Sequence, residues 1–411
     1  MYTEPPVFPG RLDPNDRFRE RRRTARRRRA IRRLGTLAVV IGGIVALVLN
    51  ARFIGGDSKK PSPQRPSTAT QAQVTTRSTQ GRTVAPPDEI RGVHVTGPVI
   101  AAGKLGQYLA LRKDGLNTLE VDVKDENGEV SFVRGAPALA KSVGAAKPYY
   151  DARALARKVH AAGLYLIGRV VVFQDPKLAA GRPDLAIRTT SNGIWTTAHG
   201  LAWTNPYDER VWDYNIAVAR AAAEAGFDEI MFDYVRFPSD DLSHAVFPHR
   251  IAEPKAQIIS RFVAKAADEL RPLGVRVGAA LFGLAATRDL GIGQNVRLLA
   301  PHLDVIHPMT YPCLYTPGQY NLSSPPELPG VTVSYSLIDF WQKVKAADAK
   351  TVLVPWLEDY PCDGYGPGVD LAYGPAAVRA QIDAVQRGSG THGYLLWNPY
   401  AVYTASALNG G

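Results

Sequence analysis

Beyond residue 91, short runs of β-branched and aromatic residues alternate with stretches whose apolar positions recur at helical spacing. The strand-like runs are 92–96, 118–123, 164–173, 229–233, 275–282, 305–309, 352–357 and 393–397. Helical patterns fall between them at 152–162, 208–225, 257–270, 337–347 and 376–386. Eight strands alternating with helices predict a closed (β/α)8 barrel rather than an open doubly wound sheet. The first strand is followed by no phosphate-cradling glycine motif, which argues against dinucleotide binding.

The stretch from Gly226 to Pro238, Gly-Phe-Asp-Glu-Ile-Met-Phe-Asp-Tyr-Val-Arg-Phe-Pro, is the most informative. Period two puts Glu229, Met231 and Asp233 on one face of a strand and Ile230 and Phe232 on the other. An ionised carboxylate is costly to bury unless it is paired or used. The helical segment before it has Val211, Ile216, Val218 and Ala222 on its apolar face, an acidic start and Gly226 as its stop. A carboxylate ending a strand after a helix and a glycine is how parallel barrels display catalytic groups.

Charge changes the picture only at the N-terminus. Residues 1–60 hold 15 Lys and Arg against 5 Asp and Glu, whereas residues 91–411 hold 31 of each. The barrel region therefore has no basic excess to attract a polyanion, and nucleic acid is not an expected partner. The organisation expected is a basic cytoplasmic tail over residues 1–33, a transmembrane signal anchor over 34–54, a Ser/Thr/Pro linker over 55–90 and the barrel over 91–411. Leu34 to Leu49 carries no charge, and Arg52 can snorkel to extend the span. Arginines on the N-terminal side keep that end in the cytoplasm, so the barrel is expected to be extracytoplasmic on a bacterial cell membrane.

The segments after the strands carry the candidate chemistry. Asp233 is the expected nucleophile or general base, with Arg236 as a nearby cation. Glu358 and Asp359 end strand seven, and either could supply the second carboxyl group. Trp195 and Trp203 suit the apolar face of a sugar, and His307 and Tyr311 could bond its hydroxyls. On strand two Glu120, Asp122 and Lys124 share a face, with Arg169 on the adjoining strand, a pattern read as a satisfied polar network inside the barrel, of which Asp122 and Arg169 are also expected to reach substrate. No His, Cys or carboxylate spacing indicates a metal, and no cofactor is expected. The only cysteines, Cys313 and Cys362, follow neighbouring strands, so in an oxidising compartment a disulfide is expected.

Six motifs then bring a family into view. Gly226–Pro238, Trp203-Thr-Asn-Pro-Tyr-Asp208, Val121-Asp-Val-Lys-Asp125, Pro308-Met-Thr-Tyr-Pro312, Pro355-Trp-Leu-Glu-Asp359 and Leu396-Trp-Asn-Pro399 together resemble the putative glycoside hydrolase domain family, once catalogued as a bacterial domain of unknown function. The resemblance spans residues 91–405. It implies a TIM barrel related to alpha-amylase-type glycosidases, with Asp233 as nucleophile; Trp356 and Trp397, which lie within two of these motifs, are also expected to contact substrate. Two positions depart from its pattern: Cys313-Leu314 stands where Ser-His is expected, and Glu358 where glutamine is expected. The expectation is a membrane-anchored glycosidase acting on an envelope polysaccharide or oligosaccharide. The rival is a non-catalytic barrel that binds envelope glycans as a tether or scaffold.

Overall fold

A computed structural model describes residues 83–362 and 373–408. The tail, the anchor and the linker up to residue 82 lie outside the described residues; the linker expected to run to residue 90 is described from residue 83, where the Val84 N–H already donates to Asp228 at 2.6 Å and Ile90 begins the first strand. Among the described residues no helix is long and apolar enough to cross a membrane.

Eight parallel strand positions close into a ring. They are β1 (Ile90–Val95), β2 (Thr118–Lys124), β3 (Tyr165–Val171), β4 (Glu229–Asp233), β5 (Arg276–Phe282), β6 (Val305–Met309), β7 in two pieces (Val352–Leu353 and Trp356–Glu358) and β8 (Gly393–Trp397). Each pairs with the next, and β8 returns to β1 through Ile90 opposite Gly393. The fold is thus the (β/α)8 barrel that the alternation predicts. The break in β7 falls at Val354-Pro355, where proline has no N–H to give a ladder.

The principal outer helices are α1 (Ala152–Ala161), α2 (Glu209–Ala225), α3 (Lys255–Leu270), α4 (Pro329–Lys345) and α5 (Pro375–Gln386). The start of α2 is capped by the Asp208 side chain, which accepts from the Arg210 N–H. Its end is Gly226 at φ 106°, a left-handed position that glycine occupies without a Cβ clash. Helix α4 starts well before the expected residue 337. Pro329 fits its first turn, where no N–H is needed, and burial of Thr332 and Val333 outweighs the weak helix propensity of branched residues.

Strand β4 has the alternation expected. Phe232 points outward, its ring 5.3 Å from that of Phe262 on α3, and Phe262 also meets Phe173 at 5.4 Å and Trp212 at 6.1 Å. Burying each such ring contributes about 1.5–3 kcal/mol. Glu229 and Asp233 point inward instead. On β2 the expected alternation fails after Asp122, because the register with β3 shifts between Asp122 and Lys124. The bulge turns Lys124 away from its expected face and towards α2. There it pairs with Asp175 at 2.6 Å and donates to Asn215 at 2.7 Å.

Candidate active site

The barrel interior holds two layers of charge. At the N-terminal floor Glu229 accepts from His307 Nε2 at 2.9 Å and from the Tyr165 hydroxyl at 3.3 Å, with Arg276 at 3.5 Å. The other His307 nitrogen lies 3.0 Å from the Val354 carbonyl. His307, expected to meet substrate, is thus buried in the floor with both nitrogens engaged.

At the C-terminal mouth the organising group is Arg169. Its Nε and Nη2 donate to Asp233 Oδ2 at 2.9 and 2.6 Å, and Nη1 donates to Asp122 Oδ1 at 2.7 Å and to Glu126 at 3.3 Å. Burial works against the Arg169 charge, but Asp233, Asp122, Glu126 and Glu120 outweigh it and raise its pKa. Asp233 therefore has a fixed cationic partner from the neighbouring strand. Its other oxygen accepts the Tyr234 N–H at 2.7 Å, and Tyr234 sits at φ 51°, an uncommon position for a non-glycine residue. The turn at Tyr234 carries the chain sharply away and leaves the carboxylate facing the mouth. Arg236, which the sequence suggested as the cation for Asp233, lies among the rings of Phe282, Trp203 and Tyr234 at 4.6–5.1 Å.

Asp125 and Glu126 adjoin this cluster. Three N–H donors, two from Asn127 and one from Glu129, pull the Asp125 pKa down. Burial, Glu126 and Asp122 prevail and push it up to about 7. Below Asp122, Glu120 Oε2 lies 2.5 Å from His94 Nδ1, while His94 Nε2 is 3.7 Å from Asp122. Burial alone would lower the His94 pKa, but these two carboxylates outweigh it and the net shift is upward. His94, Glu120 and Asp122 could each offer a ligand atom to a metal ion, all within 4.8 Å of one another. The Arg169 guanidinium already on Asp122 would repel a divalent cation, so the set suits a protonated histidine better.

The opposite wall comes from β6, β7 and β8. Trp356 faces inward, with His94 at 5.9 Å and Arg169 at 5.7 Å from its ring. Period two leaves Glu358 on the same inward face, in register with Trp397. The Glu358 carboxylate accepts the Cys313 N–H at 2.9 Å. Asp359 turns the other way, and Thr404 occupies both its oxygens, each at 2.7 Å. The structure thus separates two acids that the sequence left equivalent. Tyr311 packs between Trp397 at 5.5 Å and Tyr360 at 6.2 Å. Burial raises the Tyr311 pKa well above its ordinary value, so the phenol keeps its proton.

Cys313 and Cys362 form the expected disulfide, with Cα atoms 5.6 Å apart across 49 residues. It staples the segments after β6 and β7 around Glu358. The expected indole platform is arranged differently from a bare stacking surface. Trp203 is fully buried beneath Arg236, and Trp195 is 5% exposed.

Among the described residues, three buried polar atoms in the mouth have no hydrogen-bond partner: Glu120 Oε1, Tyr311 Oη and Trp356 Nε1. Buried polar groups are nearly always satisfied, and exceptions concentrate where a ligand or water belongs. One acceptor, one donor and one hydroxyl of either kind suit a polyhydroxylated ligand. Sequence reasoning did not give Glu120, His94 or Glu126 a ligand-facing role. Alternation alone puts Glu120 inward, but which of its oxygens lacks a partner depends on His94 from another strand.

Comparison with known proteins places this geometry. No curated protein matches the chain. Among solved structures, a hypothetical protein from Ruminiclostridium thermocellum is 35% identical, over 46% of this chain and 96% of its own, with TM-score 0.42. The PgaB (BpsB) glycoside hydrolase domain from Bordetella bronchiseptica is 15% identical, over 76% of this chain and 94% of its own, with TM-score 0.50. A beta-N-acetylhexosaminidase is 15% identical, over 78% of this chain and 70% of its own, with TM-score 0.51. At 15% identity the likeness is one of fold. The family model described as "Putative glycosyl hydrolase domain" matches residues 92–403, the whole barrel from β1 to beyond β8, and the chain belongs to that family of glycosidases.

Proposed function

We propose that this protein hydrolyses glycosidic bonds in a polysaccharide or oligosaccharide of the cell envelope, outside the cytoplasm. The observation that carries the reading is the set of unpartnered polar atoms on Glu120, Tyr311 and Trp356 in the mouth that also holds Asp233. A sugar hydroxyl both donates and accepts, so a sugar ring would satisfy all three and bring its anomeric carbon towards Asp233.

In this mechanism Asp233 is the carboxylate that attacks the anomeric carbon or activates water. Arg169 keeps it charge-compensated and oriented, and Asp122 and Glu126 fix Arg169 in turn. Glu358, on the facing wall, is the general acid that protonates the leaving oxygen. Asp359 is assigned a structural role instead, because Thr404 holds its carboxylate. Separation of the two carboxyl groups decides stereochemistry, about 5–5.5 Å for retention and 6.5–9.5 Å for inversion. The Cys313–Cys362 disulfide supports an oxidising compartment, in keeping with export of the barrel behind a membrane anchor.

The test is reducing-end release by the full chain from a panel of envelope and plant polysaccharides, with Asp233→Asn alongside. Release by the wild type and none by the variant supports the assignment. Equal release by both assigns the chemistry elsewhere, and saturable binding without release favours a glycan-binding barrel. Protease added to intact spheroplasts should remove the barrel, and protection of the barrel would reverse the topology.

A further inference from the structure

Outside the mouth, the segment after β6 carries a second group of rings. Tyr315, Tyr320 and Tyr335 form a row with centroid spacings of 5.6 and 5.5 Å and interplanar angles of 33° and 31°. Tyr335, on the second turn of α4, is 43% exposed. Tyr320 and Asn321 sit at φ 54° and 56°, successive left-handed positions that non-glycine residues seldom take. That turn lays the Tyr320 ring between its two neighbours. Polar groups edge the row: the Tyr320 hydroxyl lies 3.0 Å from Thr287 Oγ1, which donates to Asp339 at 2.5 Å.

We propose that Tyr320 and Tyr335, edged by Thr287 and Asp339, form a second carbohydrate-binding site that holds a pyranose unit of the polymer whose cleavage is proposed above. The inference deepens that reading and rests on it for the class of occupant. The exposed outer ring of this tilted row offers apolar area to the C–H face of a sugar, while the hydroxyls and carboxylate at its edge take up the sugar's own hydroxyls. A lipid or an apolar helix would leave those polar groups unmatched. The row is also continuous with the candidate active site. Tyr315, its inner ring, lies two residues beyond Cys313, whose N–H holds Glu358, and its hydroxyl is anchored to Ser336 at 3.0 Å. Because α4 begins at the C-terminal end of β6, the row sits on the rim of the mouth, where a polymer entering the barrel would pass.

Affinity electrophoresis tests this with the full chain in detergent, run through native gels that contain glycol chitin, hydroxyethyl cellulose or soluble starch. We expect at least one polymer to retard the wild type and Asp233→Asn alike. Tyr335→Ala should weaken that retardation about three- to tenfold, as loss of one stacking ring predicts, and Tyr335→Trp should restore it. Tyr335 is exposed, so its replacement should leave the fold intact, and an unchanged melting temperature checks this. Absence of retardation in all three gels overturns the site, as does equal retardation of wild type and Tyr335→Ala. Retardation lost in Asp233→Asn but kept in Tyr335→Ala would place all binding in the mouth and overturn it too. If the wild type cleaves nothing yet shows retardation that Tyr335→Ala weakens, the second site stands and the catalytic reading falls.

Discussion

Glu229 and Asp233 lie on one strand, four residues apart, and point into the same barrel, yet their surroundings differ. Glu229 meets His307, Tyr165 and Arg276, and those partners are themselves engaged. Asp233 meets Arg169 and the Tyr234 N–H, in a layer where three neighbouring polar atoms have no partner. The floor is a closed network that holds strands together. The mouth is an open one, and open networks are where a ligand completes the hydrogen bonding. A buried carboxylate therefore does not by itself mark a site, but the incompleteness of its neighbours does.

The contrast is sharpest in the response to mutation. Asp233→Asn should lower hydrolysis by several orders of magnitude with little loss of stability, since an amide can neither attack the anomeric carbon nor take a proton from water. Kinetics with a thermal melt on the same sample measure both. Near-full turnover would make Asp233 a structural partner of Arg169 and dissolve the comparison.

Glu229→Ala should do the reverse, destabilising the barrel by about 3–5 kcal/mol because it leaves buried His307 and Tyr165 without their partner. Urea denaturation gives the value, and a loss below about 1 kcal/mol would show that the floor tolerates disruption as the mouth is expected to.

The mouth has a staple that the floor lacks. Replacing both cysteines by serine should cost about 4 kcal/mol in the chain-entropy picture for a loop of this size. Hydrolysis should fall as well, because the Cys313 segment positions Glu358. Unfolding of oxidised and reduced wild-type protein reads the same difference without a mutation.

The remaining effect is the pH dependence that Asp125 imposes on the mouth. Its folded-state pKa is raised from 3.8 to about 7, so the folded protein binds this proton more tightly than the unfolded chain. That contribution to stability is fully present below pH 3.8 and is lost as pH rises through about 7. Between those values the wild type should lose stability relative to Asp125→Asn, and parallel curves for the two proteins would remove Asp125 from the account.

How much of this was legible beforehand varies with the range of the interaction. All eight strands were, because each is a local run of branched and aromatic residues between turn signals. The inward face of β4 was legible for the same reason, and so was the disulfide, which needed only the adjacency of two strands. What alternation misjudged was Lys124, where a bulge reverses the face. It also could not separate Glu358 from Asp359, since their surroundings depend on Cys313 after β6 and on Thr404 after β8.

The sequence by itself determined the barrel, its strand order, the carboxylate at the end of β4 and the family, since these rest on short-range periodicity and contiguous motifs. Only the tertiary structure decided that Arg169 rather than Arg236 serves Asp233, that His307 belongs to the floor, and that Glu120, Tyr311 and Trp356 converge with polar atoms to spare. Those outcomes join residues from β1 to β8, and barrel closure brings together side chains that no local pattern relates.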